Sequence, residues 1–269
     1  MSKLIKSAKK SSDTIFSPKS YKIGIALSGG GIKGMCHAGV LKALEEAGIK
    51  PDIISGVSAG AIVGALYEIA QIFDYVGFRK MTRLQVPDGG FFRTERFEKY
   101  LGSKLRAKTF DDLKIPLRIV ATNLDRGKSV TFSKGKLLPV VMASSNIPIL
   151  FSPRRIDGES YVDGGVFMNF PVSVIRQDCE NVIGVNASPL AVTEYKNSIL
   201  NIAMRTYHFM FEANTLADKA MCDFLIEPVD MVNYDTFETE KSREIFELGY
   251  KTTRKMIKER LKETEMTEI

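Results

Sequence analysis

Nowhere does the sequence run to about 18 uninterrupted apolar residues, so no membrane-spanning helix is expected. The N-terminus, MSKLIKSAKKSS, also lacks the apolar centre of a secretory signal, and an intracellular, cytoplasmic protein is the expectation. Cysteine is scarce: Cys36, Cys179 and Cys222 are odd in number, far apart and include no CxxC pair. That spacing excludes a disulfide framework and an ordinary zinc site, and the three read as reduced core thiols. No metal or cofactor is implied. Histidine is scarcer still, with only His37 and His208 to serve chemistry that needs an imidazole. Internal repeats and low-complexity linkers are missing. So is any basic stripe interleaved with aromatics, and nucleic acid is not an expected partner.

What is present suits a single large core, with 44% hydrophobic composition over 269 residues. Lysine plus arginine exceed aspartate plus glutamate by 38 to 32, a formal net charge of +6. Part of that excess sits in residues 1–20, where five lysines face one aspartate. We read residues 1–20 as a flexible basic arm and 21–265 as the domain. Such an arm can hold a protein to an anionic membrane surface, at about 1 kcal/mol per basic residue near the lipid, or can be a solvated tail.

Along the chain, β-rich runs alternate with helical patterns, which argues for an α/β layered fold with a mainly parallel sheet. YKIGIALS (21–28) reads as a first strand, followed by a helix over 32–47 that ends at Gly48. DIISG (52–56) reads as a second strand running into a helix over 59–70. Residues 73–106 look helical and charged, broken by a loop at PDGGFF (87–92) whose Phe91 and Phe92 either pack in the core or border an acyl groove. PLRIVATNL (116–124) and KSVTF (128–132) flank Asp125-Arg126-Gly127, a hairpin signal. Residues 137–145 read as a helix, 181–187 and 223–228 as strands, and 198–221 and 238–264 as long amphipathic helices.

Two glycine-rich turns carry the chemistry. Gly29, Gly31 and Gly34 satisfy GxGxxG between a strand and a helix, the setting of a dinucleotide site. A ribose-binding acid should then end the second strand about twenty residues on, and Ser55 and Gly56 stand there instead. GVSAG (56–60) is a better signal, because GxSxG between strand and helix is a nucleophile elbow, with Gly56 and Gly60 keeping neighbouring atoms clear of Ser58. Two parallel strands joined by one helix bring both loops to the same sheet edge. The amides of Gly29, Gly30 and Gly31 can then face the oxyanion that forms when Ser58 attacks a carbonyl.

A serine nucleophile needs a base. His37 reads as a packing or capping residue and His208 as a core or surface residue of its helix, yet the order Ser58, Asp163, His208 is that of an α/β-hydrolase triad. Asp163, in SYVDGGVFMNFPV, is by itself an ordinary Asp-Gly turn.

Taken together, SGGGIKG, GVSAG and DGG resemble the patatin-like phospholipases, specifically the bacterial branch similar to the catalytic domain of neuropathy target esterase. HAGVLKALEEAGIKPDIISG, ATNLDRG, MASSNIPILFSP, the NFP after DGG, and ELGYKTT extend the likeness over about residues 21–260. The resemblance implies a three-layer α/β/α fold and lipid acyl hydrolysis by a Ser-Asp dyad without catalytic histidine. Ser58 would be the nucleophile, Asp163 the base, and Gly29 to Gly31 the oxyanion loop, supported by Lys33, Gly34, Gly56, Gly60, Gly164 and Gly165. Lys33 stands where the family more often has arginine, and a planar fork is lost with it. Phospholipids, lysophospholipids or other fatty-acyl esters are the implied substrates, with anionic membrane as a peripheral partner. A non-catalytic lipid-binding member is the remaining alternative to the dyad and the triad. An aspartate near its reference pKa of about 3.9 is a weak base, so catalysis is expected to lean on the oxyanion loop.

Overall fold

Apolar residues run almost unbroken through the central strands because both faces of the sheet are covered. In β1 (Tyr21–Leu27), Ile25 and Leu27 enter one core while the intervening Ala26 enters the other, as the two-residue period of a strand requires. A computed structural model describes residues 20–67, 94–189 and 197–267. The basic arm up to residue 19, the end of the second helix at 68–70 and the Phe91-Phe92 loop lie outside the described residues.

The other strands are β2 (Ile53–Val57), β3 (Leu117–Asn123), β4 (Lys128–Phe132), β5 (Arg154–Ile156), β6 (Glu159–Asp163), β7 (Cys179–Val185) and β8 (Phe224–Ile226). Their order is β5-β6-β3-β2-β1-β7-β8, with β4 also paired to β3. Pairings among β3, β2, β1, β7 and β8 are parallel, and those of β4, β5 and β6 are antiparallel. The expected β3–β4 hairpin forms, turning through Gly127 at φ 59°.

Helices are α1 (Met35–Glu46), α2 (Ala59–Leu66), α3 (Glu95–Lys104), α4 (Leu137–Ser144), α5 (Ser173–Arg176), α6 (Ile199–Lys219) and α7 (Ser242–Thr267). The larger core joins Ile25 and Leu27 to Val40 and Leu44 of α1, Ile62 of α2, Val141 of α4 and Phe246 of α7. On the opposite face Ala26, Ile53 and Val182 pack against Phe170, Val172 and Ile175. The mixed α/β architecture, a mostly parallel sheet between helices, agrees with the expected fold class. Helices α1 and α7 touch backbone to backbone: a Cβ added at Gly39 would lie 2.1 Å from the Phe246 carbonyl oxygen. Only glycine permits that approach. The last helix starts later than its pattern indicates, at Ser242. The Asp235 side chain accepts from Phe237 N–H at 2.8 Å, a local turn that competes with helix, and residues 239–241 form a 3-10 turn.

Candidate active site

Ser58 occupies a conformation that serine rarely adopts, φ 51° and ψ −119°, between the last residue of β2 and the first of α2. The surroundings hold it there. Its N–H donates to Ser144 Oγ at 2.8 Å, and that hydroxyl donates in turn to the Val120 carbonyl at 2.6 Å. The motif glycines allow strand and helix to close so tightly: a Cβ on Gly60 would lie 2.2 Å from the Leu27 carbonyl oxygen, and one on Gly56 would lie 2.5 Å from that of Gly60. A strained residue over-determined by its surroundings at such a strand-to-helix turn is the geometry of a nucleophile elbow.

Strand register brings Asp163 to it. Along β3, β2 pairs with residues 117–120 and β6 with residues 121–123, while β4 overlaps both pairings and must therefore take the other edge. Strands β2 and β6 thus share one edge of β3 and run toward each other. Val57 ends opposite Val120 and Asp163 ends opposite Ala121, the very next residue. The chain after Asp163 confirms how near the two ends come, since a Cβ on Gly164 would lie 2.7 Å from Val57 Cγ2.

Asp163 is fully buried. Its Oδ1 accepts the Gly165 N–H at 2.8 Å, whereas Oδ2 has no hydrogen-bond partner among the described residues. Burial pushes the carboxyl up to about 7, against smaller opposite pulls from the nearby Ser58 hydroxyl and the Gly165 amide. Although the Ser58 hydroxyl is near enough to favour the charged carboxylate, it closes no strict hydrogen bond on Oδ2. The group is therefore a better base near neutral pH than an aspartate at its reference value.

The glycine loop follows β1 as expected. Gly30 and Gly31 have positive φ, 153° and 59°, and a 3-10 turn over Gly31–Gly34 leads into α1. Of the three amides expected to face an oxyanion, that of Gly29 already donates to the Asn169 carbonyl at 3.0 Å. Those of Gly30 and Gly31 have no partner among the described residues. Gly34 lies against α2, where a Cβ would stand 2.7 Å from that of Ala59. Lys33 is buried beside the loop, and burial lowers its pKa while the charge of Asp235 opposes the fall.

Neither histidine bonds to Ser58 or Asp163 among the described residues. His37 is completely buried, with Nε2 2.8 Å from the Ser28 carbonyl, and burial holds it near pKa 4, so it is neutral and donates there. It buttresses the loop from behind. His208 Nε2 lies 3.5 Å from Thr236 Oγ1. Burial lowers its pKa first, and the charge of Lys33 adds to this.

Three polar residues near the site were not singled out from sequence. Ser144 holds the elbow. Tyr207 is buried on α6, its hydroxyl without a hydrogen-bond partner among the described residues and its pKa raised by burial and then by the charge of Asp163. Asn169 is buried with an unpartnered carboxamide. Asn169 lay in the NFP already noted and Ser144 in MASSNIPILFSP, while Tyr207 lay in no such segment.

The patatin-like phospholipase family model matches residues 25–175. A protein of Mycobacterium bovis described as an uncharacterized NTE family protein is 32% identical over 62% of this chain and 47% of its own. The chain thus spans about half the length of that relative. A lysophospholipase of Kluyveromyces lactis, described as NTE1, is 26% identical over 85% of this chain and 18% of its own. Among solved structures, VipD from Legionella pneumophila aligns with a TM-score of 0.50 at 17% identity, over 89% of this chain and 67% of its own, a likeness of fold alone.

Proposed function

Because the chain belongs to the patatin-like phospholipase family, we propose that it is a serine acyl hydrolase of lipid esters, with Ser58 as nucleophile and Asp163 as base. The observation that carries this reading is the meeting of β2 and β6 on one edge of β3, which sets the elbow serine beside a buried, half-satisfied carboxylate.

In the first step Asp163 takes the Ser58 hydroxyl proton as Oγ attacks the ester carbonyl carbon. The carbonyl oxygen becomes an oxyanion, and the amides of Gly30 and Gly31 are the donors free to receive it. Gly29 contributes by having no side chain, since a Cβ there would stand 2.3 Å from Asn169 Oδ1. The carbon–oxygen bond to the alcohol then breaks, and the alcohol leaves with the proton from Asp163. Water attacks the acyl-enzyme and gives a proton to Asp163. Ser58 Oγ departs, recovers that proton, and the fatty acid is released. No imidazole is needed, because a carboxyl near pKa 7 is already matched to the work.

The description of one relative as a lysophospholipase favours lysophospholipid or phospholipid substrates. The lysines of residues 1–20 would favour adsorption to anionic lipid. The test is Ser58→Ala. It should abolish hydrolysis of a short-chain p-nitrophenyl ester and labelling by a fluorophosphonate, with an unchanged far-UV spectrum. A folded variant that keeps more than a few per cent of the activity would remove Ser58 from the mechanism.

A further inference from the structure

Asn169 stands between the two motifs that the reaction uses. It is completely buried, and neither polar atom of its carboxamide has a hydrogen-bond partner among the described residues. Its Oδ1 lies 2.3 Å from where a Cβ on Gly29 would be and 2.9 Å from the equivalent point on Gly165. That side chain is the first obstacle at Gly29, whereas at Gly165 the Phe211 ring, 2.5 Å from the same point, stands closer still. The same point on Gly29 is 3.4 Å from Ser58 Cβ.

The main chain of Asn169 is pinned on both sides. Its N–H donates to Asn214 Oδ1 at 2.7 Å, its carbonyl accepts from Gly29, and Asn214 Nδ2 donates to the Gly165 carbonyl at 2.8 Å. A backbone held this firmly delivers the carboxamide to one place. Leaving such a group unsatisfied in a protein interior is costly, and the fold keeps it beside a second orphan. Asp163 Oδ2 lacks a partner, and Asp163 flanks the same glycine, since Gly165 N–H bonds its Oδ1. The two orphans are complementary. Whichever way the amide plane is turned, it has two N–H donors to place, and a carboxylate oxygen has only acceptor sites.

We propose that Asn169 is a positioning residue for the reaction: its side-chain amide donates to Asp163 Oδ2 when that carboxylate is charged, and so holds the base in register with Ser58. The inference rests on the Ser58–Asp163 reading. The titratable groups facing Asp163 are the Ser58 hydroxyl, from the turn between β2 and α2, and the Tyr207 phenol, from α6. Among the described residues no charged side chain of β3, α4 or the 164–166 turn bonds to it, so a neutral donor would be the main stabiliser of its charge.

Asn169→Leu keeps the branched outline of the side chain and removes both N–H groups, while Asn169→Ala removes the whole group. The measurement is the rate of Ser58 phosphonylation by a fluorophosphonate between pH 5 and 9, on the full chain, with melting curves alongside. In the parent protein the rate should climb as Asp163 ionises. Losing a donor to the charged form raises its pKa, so in both variants the midpoint should move up by about one pH unit. The rate near pH 6 should then fall about tenfold while the rate at pH 9 approaches that of the parent. An unmoved midpoint overturns the proposal, whether the rate is unchanged or is lowered equally at every pH, as loss of an oxyanion donor or a spacer would do. Should the alanine variant fail to fold, the leucine variant decides alone. Asp163→Asn separates the two levels. If it is labelled as fast as the parent, the dyad itself fails, whereas its loss of labelling with an unmoved midpoint at the Asn169 variants sinks only the role of Asn169.

Discussion

Replacing Asp163 by asparagine should make the protein gain stability relative to the parent as pH rises toward neutral, while disabling it. A buried carboxyl whose folded pKa is about 7 must give up its proton inside the protein, whereas in the unfolded chain it does so near 3.8. Between those values the folded state binds more protons than the unfolded state, so stability falls as pH rises, by up to about 1.4 kcal/mol per pH unit for one ideal group. Over the whole interval the ceiling is about 4 kcal/mol, and between pH 5 and pH 8 it is just under about 3 kcal/mol. Asparagine keeps the carbonyl that accepts the Gly165 N–H and carries no charge at any pH. Whatever fixed penalty its NH₂ incurs is the same at pH 5 and pH 8 and cancels in the difference. Urea unfolding of both proteins at half-unit steps from pH 5 to 8.5 should show the variant gaining steadily on the parent until about pH 7 and then running parallel to it. In melting temperature the gain corresponds to about 2–4 °C per kcal/mol for a chain of this size. Two curves parallel throughout, or a variant that loses ground as pH rises, would refute the account of Asp163 as a desolvated carboxyl.

The histidines should behave unlike catalytic ones and unlike each other. His208→Ala should retain at least about a tenth of the esterase rate, because no triad base is lost. His37→Ala should lower stability by about 2–4 kcal/mol in urea titrations, since it opens a cavity and strands the buried Ser28 carbonyl. Collapse of activity in a folded His208→Ala would restore the triad. Gly39→Ala should cost about 1–3 kcal/mol by overpacking, at the upper end because the obstacle is the Phe246 backbone, yet should leave the pH midpoint of Ser58 labelling unmoved. An unchanged melting temperature would mean that α1 and α7 separate freely.

The parts of the site legible in the sequence are those made of contiguous residues. GVSAG and SGGGIKG announce a strained turn and a bare loop because each is built from neighbours whose backbone demands are local. Their placement after β2 and β1 follows from alternating strands and helices. What joins Ser58 to Asp163 is not local. It depends on β3 offering one edge to two strands that run in opposite directions, and no periodicity in residues 117–123 announces that. The basicity of Asp163 was equally hidden, because it comes from burial by distant segments and an isolated Asp-Gly pair carries no sign of it. His37 looks like a packing residue, and so it is, but its donation to Ser28 ties it to the glycine loop. Asn169, Ser144 and Tyr207 are common polar residues whose partners, or lack of them, exist only after folding.

Because Val57 and Asp163 are each registered to β3 and never to one another, the meeting of Ser58 and Asp163 has no local precursor in the chain. Segments about a hundred residues apart must both dock on the same strand before Ser58 and Asp163 meet. Contacts of that sequence separation form slowly, since the intervening chain must be closed into a loop first. During refolding, far-UV signal should therefore return before Ser58 becomes reactive. Phosphonylation kinetics would then serve as a clock for completion of the central sheet, set by topology and independent of any substrate.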